Sequence, residues 1–355
     1  MDLFGRSIEI IQNNQSDTGA YLACPTFPTY RYSWFRDGSY IAYAMDLTGK
    51  FESAARFHNW AADTINKKEE IVHRAIAKHQ MGESLSEGDF LHTRYTLDGK
   101  NSEEDWPNYQ LDGFGTWLWA LNEHLRQSGS EASLTQKHAA HLVVEYLATL
   151  WKEPSSDCWE EFPDHVHPHT LAAIYAGLQA AENLLDSNYE LLLTEIIEYI
   201  LRNNFERGYF VKFTGAPEVD ASLVGLATPY KVFRLDDKRI QSTIAHIDAT
   251  LRAGEGGVHR YSQDTYYGGG EWVVLAGWLG WYYAEAGEIE KAMELLDWME
   301  DQANSKGELP EQVPRNLNDE SYYEPWRKRW GEIAQPLLWS HANYIILFKS
   351  LKPRG

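Results

Sequence analysis

Residues 157–161 read Asp-Cys-Trp-Glu-Glu and run into the polar stretch Phe162-Pro-Asp-His-Val-His-Pro-His-Thr170. Two adjacent carboxyl groups set against an indole suit acid chemistry on a sugar. Cleavage of a glycosidic bond with inversion needs two carboxyl groups. One gives a proton to the departing oxygen, and the other activates water from the opposite face, at a separation of roughly 6.5–9.5 Å. Glu160 and Glu161 supply the first candidate. A second lies in Gly307-Glu-Leu-Pro-Glu-Gln312, where Glu311 stands between Pro310 and Gln312. The two lie 311 − 160 = 151 residues apart, so only the fold can relate them.

Taken alone, acidic pairs are usually solvated surface. Four further blocks change the weight: Tyr30-Arg-Tyr-Ser-Trp-Phe-Arg-Asp-Gly38, Trp106-Pro-Asn-Tyr-Gln-Leu-Asp-Gly113, His259-Arg-Tyr-Ser-Gln-Asp-Thr-Tyr-Tyr-Gly-Gly-Gly-Glu-Trp272 and Gln335-Pro-Leu-Leu-Trp-Ser-His-Ala342. Each sets Trp or Tyr beside Arg, Asp or Gln, just ahead of a segment with helical periodicity. Flat apolar faces beside bidentate hydrogen-bonding groups grip a neutral, hydroxyl-rich ring.

The elements that must carry these blocks are helical, because apolar residues recur at helical spacing and strand-like alternation is scarce. The periodicity predicts helices over 1–14, 37–48, 51–68, 110–127, 134–152, 168–184, 188–203, 218–227, 237–252, 270–287, 289–303 and 337–350. Gly49 and Gly287 stand where helix stops belong. Longer irregular stretches, 19–36, 69–109, 154–167, 204–217, 253–269 and 304–336, hold many of the aromatic, Gly and Pro residues, and long loops in a compact domain are usually functional. Twelve helices make six hairpins, whose simplest closed arrangement is a toroid of six inner and six outer helices. Trp272-Val-Val-Leu-Ala-Gly-Trp278 reads as part of an inner helix, apolar on all sides. The expectation is an all-α chain forming one domain over residues 1–355.

Composition narrows the partner. A formal net charge of −20 opposes binding to nucleic acid or anionic membranes, which needs clustered cations. Fourteen Trp and 21 Tyr suit stacking on pyranose rings as well as a thick core. The two cysteines, Cys24 and Cys158, imply no disulfide framework and favour a reducing cytoplasm. The start of the chain lacks the pattern of a signal peptide, and no apolar run is long enough to span a bilayer.

Six pieces occur in one order: Tyr32-Ser-Trp-Phe-Arg-Asp37, Gln110-Leu-Asp-Gly113, Trp159-Glu-Glu161, Arg260-Tyr-Ser-Gln-Asp-Thr-Tyr-Tyr267, Leu309-Pro-Glu-Gln312 and Pro336-Leu-Leu-Trp-Ser-His-Ala342. In this set the chain resembles the glucoamylase family, glycoside hydrolase family fifteen, over roughly residues 20–350. The resemblance implies an (α/α)6 barrel and release of β-D-glucose from non-reducing ends of α-glucosides with inversion. It implies Glu160 as general acid and Glu311 as general base. Glu161 matches a carboxylate binding sugar beside the acid, Arg36 and Asp37 a pair gripping hydroxyls of the terminal glucose, and Arg260 a further hydroxyl ligand. Tyr30 matches a tyrosine beside the attacking water, and Trp34, Trp106, Trp159, Trp272 and Trp339 match aromatic walls.

The chain departs from the family at Phe162 and Asn108, where arginine stands in relatives, and at Glu271, where proline is common. No amino-terminal β-sandwich or starch-binding module is expected in it. The expected substrate is therefore a short, neutral α-gluco-oligosaccharide, with α-1,6-linked isomaltose favoured. Alternatives are α-1,4 malto-oligosaccharides, α,α-trehalose, a phosphorylase on the same scaffold and an inactive sugar-binding protein. No cofactor is expected. His165, His167 and His169 have the spacing of metal ligands but are interrupted by Pro168 and lack a partner Cys pair, so they read as a polar loop rather than a metal site. Gly268-Gly-Gly270 lacks the Lys-Ser/Thr of a phosphate loop and reads as a tight turn.

Overall fold

A computed structural model describes residues 2–216, 218–253 and 256–351. It contains α1 (Leu3–Asn13), α2 (Phe35–Leu47), α3 (Phe51–Asn66), α4 (Glu69–Gln80), α5 (Asp112–Ser128), α6 (Leu134–Leu150), α7 (Pro168–Leu185), α8 (Glu190–Asn203), α9 (Lys238–Leu251), α10 (Val273–Ala286), α11 (Ile289–Asp301), α12 (Tyr323–Trp330) and α13 (Leu338–Leu351). Four two-residue strand pairs complete the regular structure of the described residues. The chain separates into two compact units, Gln15–Leu22 with Tyr32–Asn204, and Met1–Asn14 with Ala23–Arg31 and Phe205–Gly355.

In the first unit, α2, α5 and α7 bury unbroken runs at their amino-terminal ends, residues 35–42, 112–121 and 168–174. A helix buried all round at its start sits inside its unit. The helices α3, α6 and α8 are one-sided; α8 buries only Leu193, Ile196 and Ile200, at spacings of three and four. Two glycines let α5 and α7 touch backbone to backbone. A Cβ on Gly115 would lie 2.3 Å from the Ala173 carbonyl oxygen, and one on Gly177 would lie 2.7 Å from Gly115 Cα.

In the second unit, α10 and α13 are the embedded helices, with residues 273–283 and 338–347 buried throughout. One-sided α11 and α1 accompany them, as does α9, which buries Ile240, Thr243, Ile244, Ile247 and Leu251. The segment expected as a helix over 218–227 is instead a 3-10 helix, Ala221–Leu226, with all six residues buried. Continuation as an α-helix would need an N–H at Pro229, which has none to give the Gly225 carbonyl. Eleven of the twelve expected helices thus form as α-helices, and the twelfth position is taken by this tighter turn.

Helices α4 and α12 lie inside stretches expected to be irregular. Only Val72 and Ala75 of α4 are buried, so its apolar stripe is too thin for periodicity to reveal. Its charges mark it instead: Glu69 and Glu70 in the first turn and Lys78 and His79 in the last complement the helix dipole. Among the described residues no helix is long and apolar enough to cross a membrane.

Gly115→Ala should force α5 off α7. Overpacking of this kind costs about 1–3 kcal/mol, so urea denaturation should show a midpoint lowered accordingly; an unchanged midpoint would mean the helices are free to separate.

Candidate active site

The site residues sit where the embedded helices begin. In the first unit, Trp34 is the residue preceding α2, and Arg36 and Asp37 occupy its first turn. The short pairing of Ser33–Trp34 with Arg94–Tyr95 fixes the entry of the chain into the helix. Arg36 is buried and donates through Nη1 to Gln110 Oε1 at 2.9 Å and to Asp112 Oδ2 at 3.1 Å. Its Nε lies 3.7 Å from Asp37 Oδ2 and its Nη2 lies 3.9 Å from Glu160 Oε1. Burial alone would lower the guanidinium pKa, but Asp112, Asp37 and Glu160 outweigh it and hold the value above its usual range.

Glu160 arrives on the loop that precedes α7. Asp157 organises that loop: its Oδ1 accepts the backbone N–H groups of Trp159 at 2.9 Å and Glu161 at 3.0 Å, and its carbonyl accepts that of Glu160 at 2.9 Å. The tight closure places Glu160 in the left-handed region, φ 70°, with Phe162 at φ 52°. The Glu160 Oε1 then accepts from the Trp34 indole N–H at 2.7 Å and from Gln110 Nε2 at 3.3 Å. Trp159 is buried and Glu161 half-buried on the same turn. Arg94, absent from the expected set, stacks its guanidinium 3.8 Å over Trp106 and 4.3 Å over Tyr32, with Trp34 at 5.4 Å. It also donates to Glu104 at 2.9 Å. Together these groups form an aromatic and cationic wall around the start of α2.

Asp37 is the electrostatically stressed member. It is buried, and among the described residues its Oδ2 receives no hydrogen bond. Burial pushes its carboxyl up to about 7, against the pull of Arg36 and with a further push from Glu160.

The second unit builds a separate constellation around Glu311. Pairing of Glu271–Trp272 with Gln312–Val313 ties the loop to the start of α10, and the Val273 N–H donates to the Glu311 carbonyl at 3.1 Å. The Glu311 side chain is buried, and its Oε1 accepts the Tyr30 hydroxyl at 3.0 Å. That hydroxyl also lies 3.1 Å from the Tyr266 hydroxyl. Behind the loop, the Leu309 N–H donates to His341 Nε2 at 3.0 Å. With Nε2 accepting, Nδ1 carries the proton and donates to Ser7 Oγ at 2.9 Å. Burial pushes this imidazole down to about 3, so it stays neutral and serves as a fixed latch.

Arg260 is clamped by Asp264, with Nε to Oδ2 at 2.7 Å, and its guanidinium lies 5.0 Å from the Trp272 ring and 5.4 Å from that of Tyr266. Trp339, in the first turn of α13, meets Trp278 edge-on at 5.5 Å. Glu271 is buried and accepts from Asn316 Nδ2 at 2.7 Å. Gly268 and Gly269 are left-handed, φ 80° and 70°, and a Cβ on Gly269 would lie 2.1 Å from the Asp264 carbonyl, so the glycine turn is sterically required.

The structure therefore gathers Trp34, Arg36, Asp37, Trp106, Trp159, Glu160 and Glu161 in one unit, and Tyr30, Arg260, Trp272, Glu311 and Trp339 in the other. Sequence reasoning missed Arg94, Gln110 and Asp112 as individual site residues. The motif Gln110-Leu-Asp-Gly113 carried the signal for the last two. In the His165 loop, His167 Nε2 lies 3.0 Å from the Phe162 carbonyl oxygen, and the His165 carbonyl accepts the Ser155 N–H.

The raised Asp37 pKa gives a signed prediction. Folded, this carboxyl keeps its proton up to about pH 7, whereas unfolded it releases it near the ordinary value of about 3.9. Folding takes up a proton between those limits, so stability falls as pH rises through the window. Between pH 7 and pH 5 the wild type should gain about 2 kcal/mol over Asp37→Asn. Parallel denaturation curves for the two proteins would show no such proton uptake.

Comparison with known proteins places this geometry. The family described as "Glycosyl hydrolases family 15" matches residues 3–349. An isomaltose glucohydrolase from Kribbella flavida is 36% identical over 358 residues, spanning 99% of this chain and 92% of that protein. A glycosidase solved in complex with glucose superposes with a TM-score of 0.94 at 36% identity, covering 99% of this chain and 96% of that one. A bacterial glucoamylase complexed with acarbose has a TM-score of 0.75 at 22% identity, covering 98% of this chain and 55% of the other. The helical fold is that of glucoamylase, the (α/α)6 barrel anticipated from the paired helices. The chain belongs to the family 15 glycosyl hydrolases and is a glycoside hydrolase.

Proposed function

We propose that the protein is an inverting, exo-acting α-glucosidase that releases β-D-glucose from the non-reducing end of short oligosaccharides and prefers the α-1,6 bond of isomaltose. The observation that carries this reading is the likeness to an isomaltose glucohydrolase along 99% of this chain and 92% of that protein. The chain is read as one catalytic domain acting without cofactor on a neutral sugar. Its two cysteines, Cys24 and Cys158, are buried thiols, in keeping with a reducing, cytoplasmic setting.

In this reading Glu160 donates the proton to the glycosidic oxygen. The Trp34 indole and Gln110 amide orient its carboxyl group, so the donor is positioned before the sugar arrives. Glu311 takes a proton from water, and the hydroxyl of Tyr30 holds the carboxylate in line. Arg36 and Asp37 bind hydroxyls of the terminal glucose. Asp37 Oδ2, which accepts no hydrogen bond among the described residues, takes such a hydroxyl. Arg260 supplies further hydrogen bonds, Glu161 binds sugar beside the acid, and Trp34, Trp106, Trp159, Trp272 and Trp339 present apolar faces to the rings.

Proton NMR of an isomaltose digest should show β-glucose first, with slower release from maltose and trehalose. An initial α anomer would refute inversion, and faster cleavage of maltose or trehalose would refute the linkage preference. Glu160→Gln and Glu311→Gln should each lower kcat by at least about 10²-fold with helical circular dichroism intact. Near-normal turnover in either variant would remove that residue from the chemistry.

A further inference from the structure

Away from the residues assigned to sugar cleavage, three helices of the first unit bring together Asp46 of α2, His58 of α3 and His124 of α5. All three are buried. Each offers one atom able to bind a cation, and these atoms lie within 4.8 Å of one another; no other such group of His, Cys, Asp or Glu occurs among the described residues. His124 Nδ1 lies 2.8 Å from Asp46 Oδ1. The rings of His58 and His124 stand 5.1 Å apart, centroid to centroid.

The second observation is what this cluster lacks. His58 is 0% exposed, yet among the described residues neither of its ring nitrogens has a hydrogen-bond partner, and Asp46 Oδ2 has none either. Buried polar atoms are nearly always satisfied, so three orphans in one place call for a missing partner. An imidazole N–H donating to a neighbouring carboxylate, as His124 does to Asp46, is also how metal-bound histidines are commonly oriented.

We propose that Asp46, His58 and His124 bind one divalent first-row transition-metal ion, of the zinc class, which ties α2, α3 and α5 together. Two imidazoles and one carboxylate select such ions over magnesium or calcium, which favour all-oxygen sites. Zinc ligands at about 2.0–2.2 Å place tetrahedral donors roughly 3.4 Å from each other. Atoms already within 4.8 Å reach that spacing by rotation of their side chains. The fourth position falls to a trapped water. The site is closed by helices, so its role is structural.

The test uses the full chain, stripped with 1,10-phenanthroline, incubated with zinc chloride, desalted and analysed by plasma mass spectrometry. The expected result is about one zinc per chain, a Tm raised by about 3–4 °C over the stripped protein at a hundredfold excess over Kd, and neither effect with magnesium. His58→Gln should fold by circular dichroism and lose the zinc. If that variant does not fold, anomalous scattering at the zinc edge from wild-type crystals should place a peak among the three side chains. Less than about 0.2 zinc per wild-type chain with an unmoved Tm, full retention of zinc by folded His58→Gln, or water-weight density without anomalous signal would each overturn the proposal.

Discussion

A buried guanidinium cannot be left without partners, and Arg36 shows how much of one unit follows from that constraint. Taking its charge out of water is tolerable only because Asp112, Gln110, Asp37 and Glu160 surround it. Those partners come from the starts of α2 and α5 and from the loop before α7, so satisfying one cation fixes where three segments begin. Gly113 belongs to the same requirement, since a Cβ there would approach the Arg36 backbone nitrogen to 3.2 Å. The proposed acid is thus held by a network whose first purpose is to keep a charge solvated by protein.

The two proposed catalytic carboxyl groups are supported by different means. Glu160 is reached through an acidic turn, an indole and an amide. Glu311 is backed by a strand pairing, a phenol and the neutral imidazole of His341, which holds the main chain two residues earlier. The Tyr30 hydroxyl, a neutral donor, fixes the position of the Glu311 side chain. Guanidinium and carboxylate neighbours at Glu160 add charge.

Much of this was legible in the sequence because it is local. Runs such as Val273–Tyr283 are apolar on every side and could only be embedded, and the aromatic–polar blocks announced themselves by falling just ahead of helices. The rest required the third dimension. Arg94 stands in a polar stretch read as irregular, and nothing near it predicts that it will stack on Tyr32 and Trp106. The cluster of Asp46, His58 and His124 is invisible for the same reason, since its members lie on three helices. The substitution of a 3-10 turn for the expected helix over 218–227 depends on Pro229, a signal present in the sequence but outweighed there by periodicity. Helix α4 escaped notice because only Val72 and Ala75 are buried in it, too thin an apolar stripe to register as a period.

The turn closed by Asp157 has an energetic corollary. Three main-chain N–H groups converge on that one residue, so the left-handed backbone at Glu160 is sustained by the protein itself. An incoming ligand has little loop entropy to quench there. Its contact energy can go towards gripping the ring instead of assembling the machinery, an economy well matched to a molecule as small as a disaccharide.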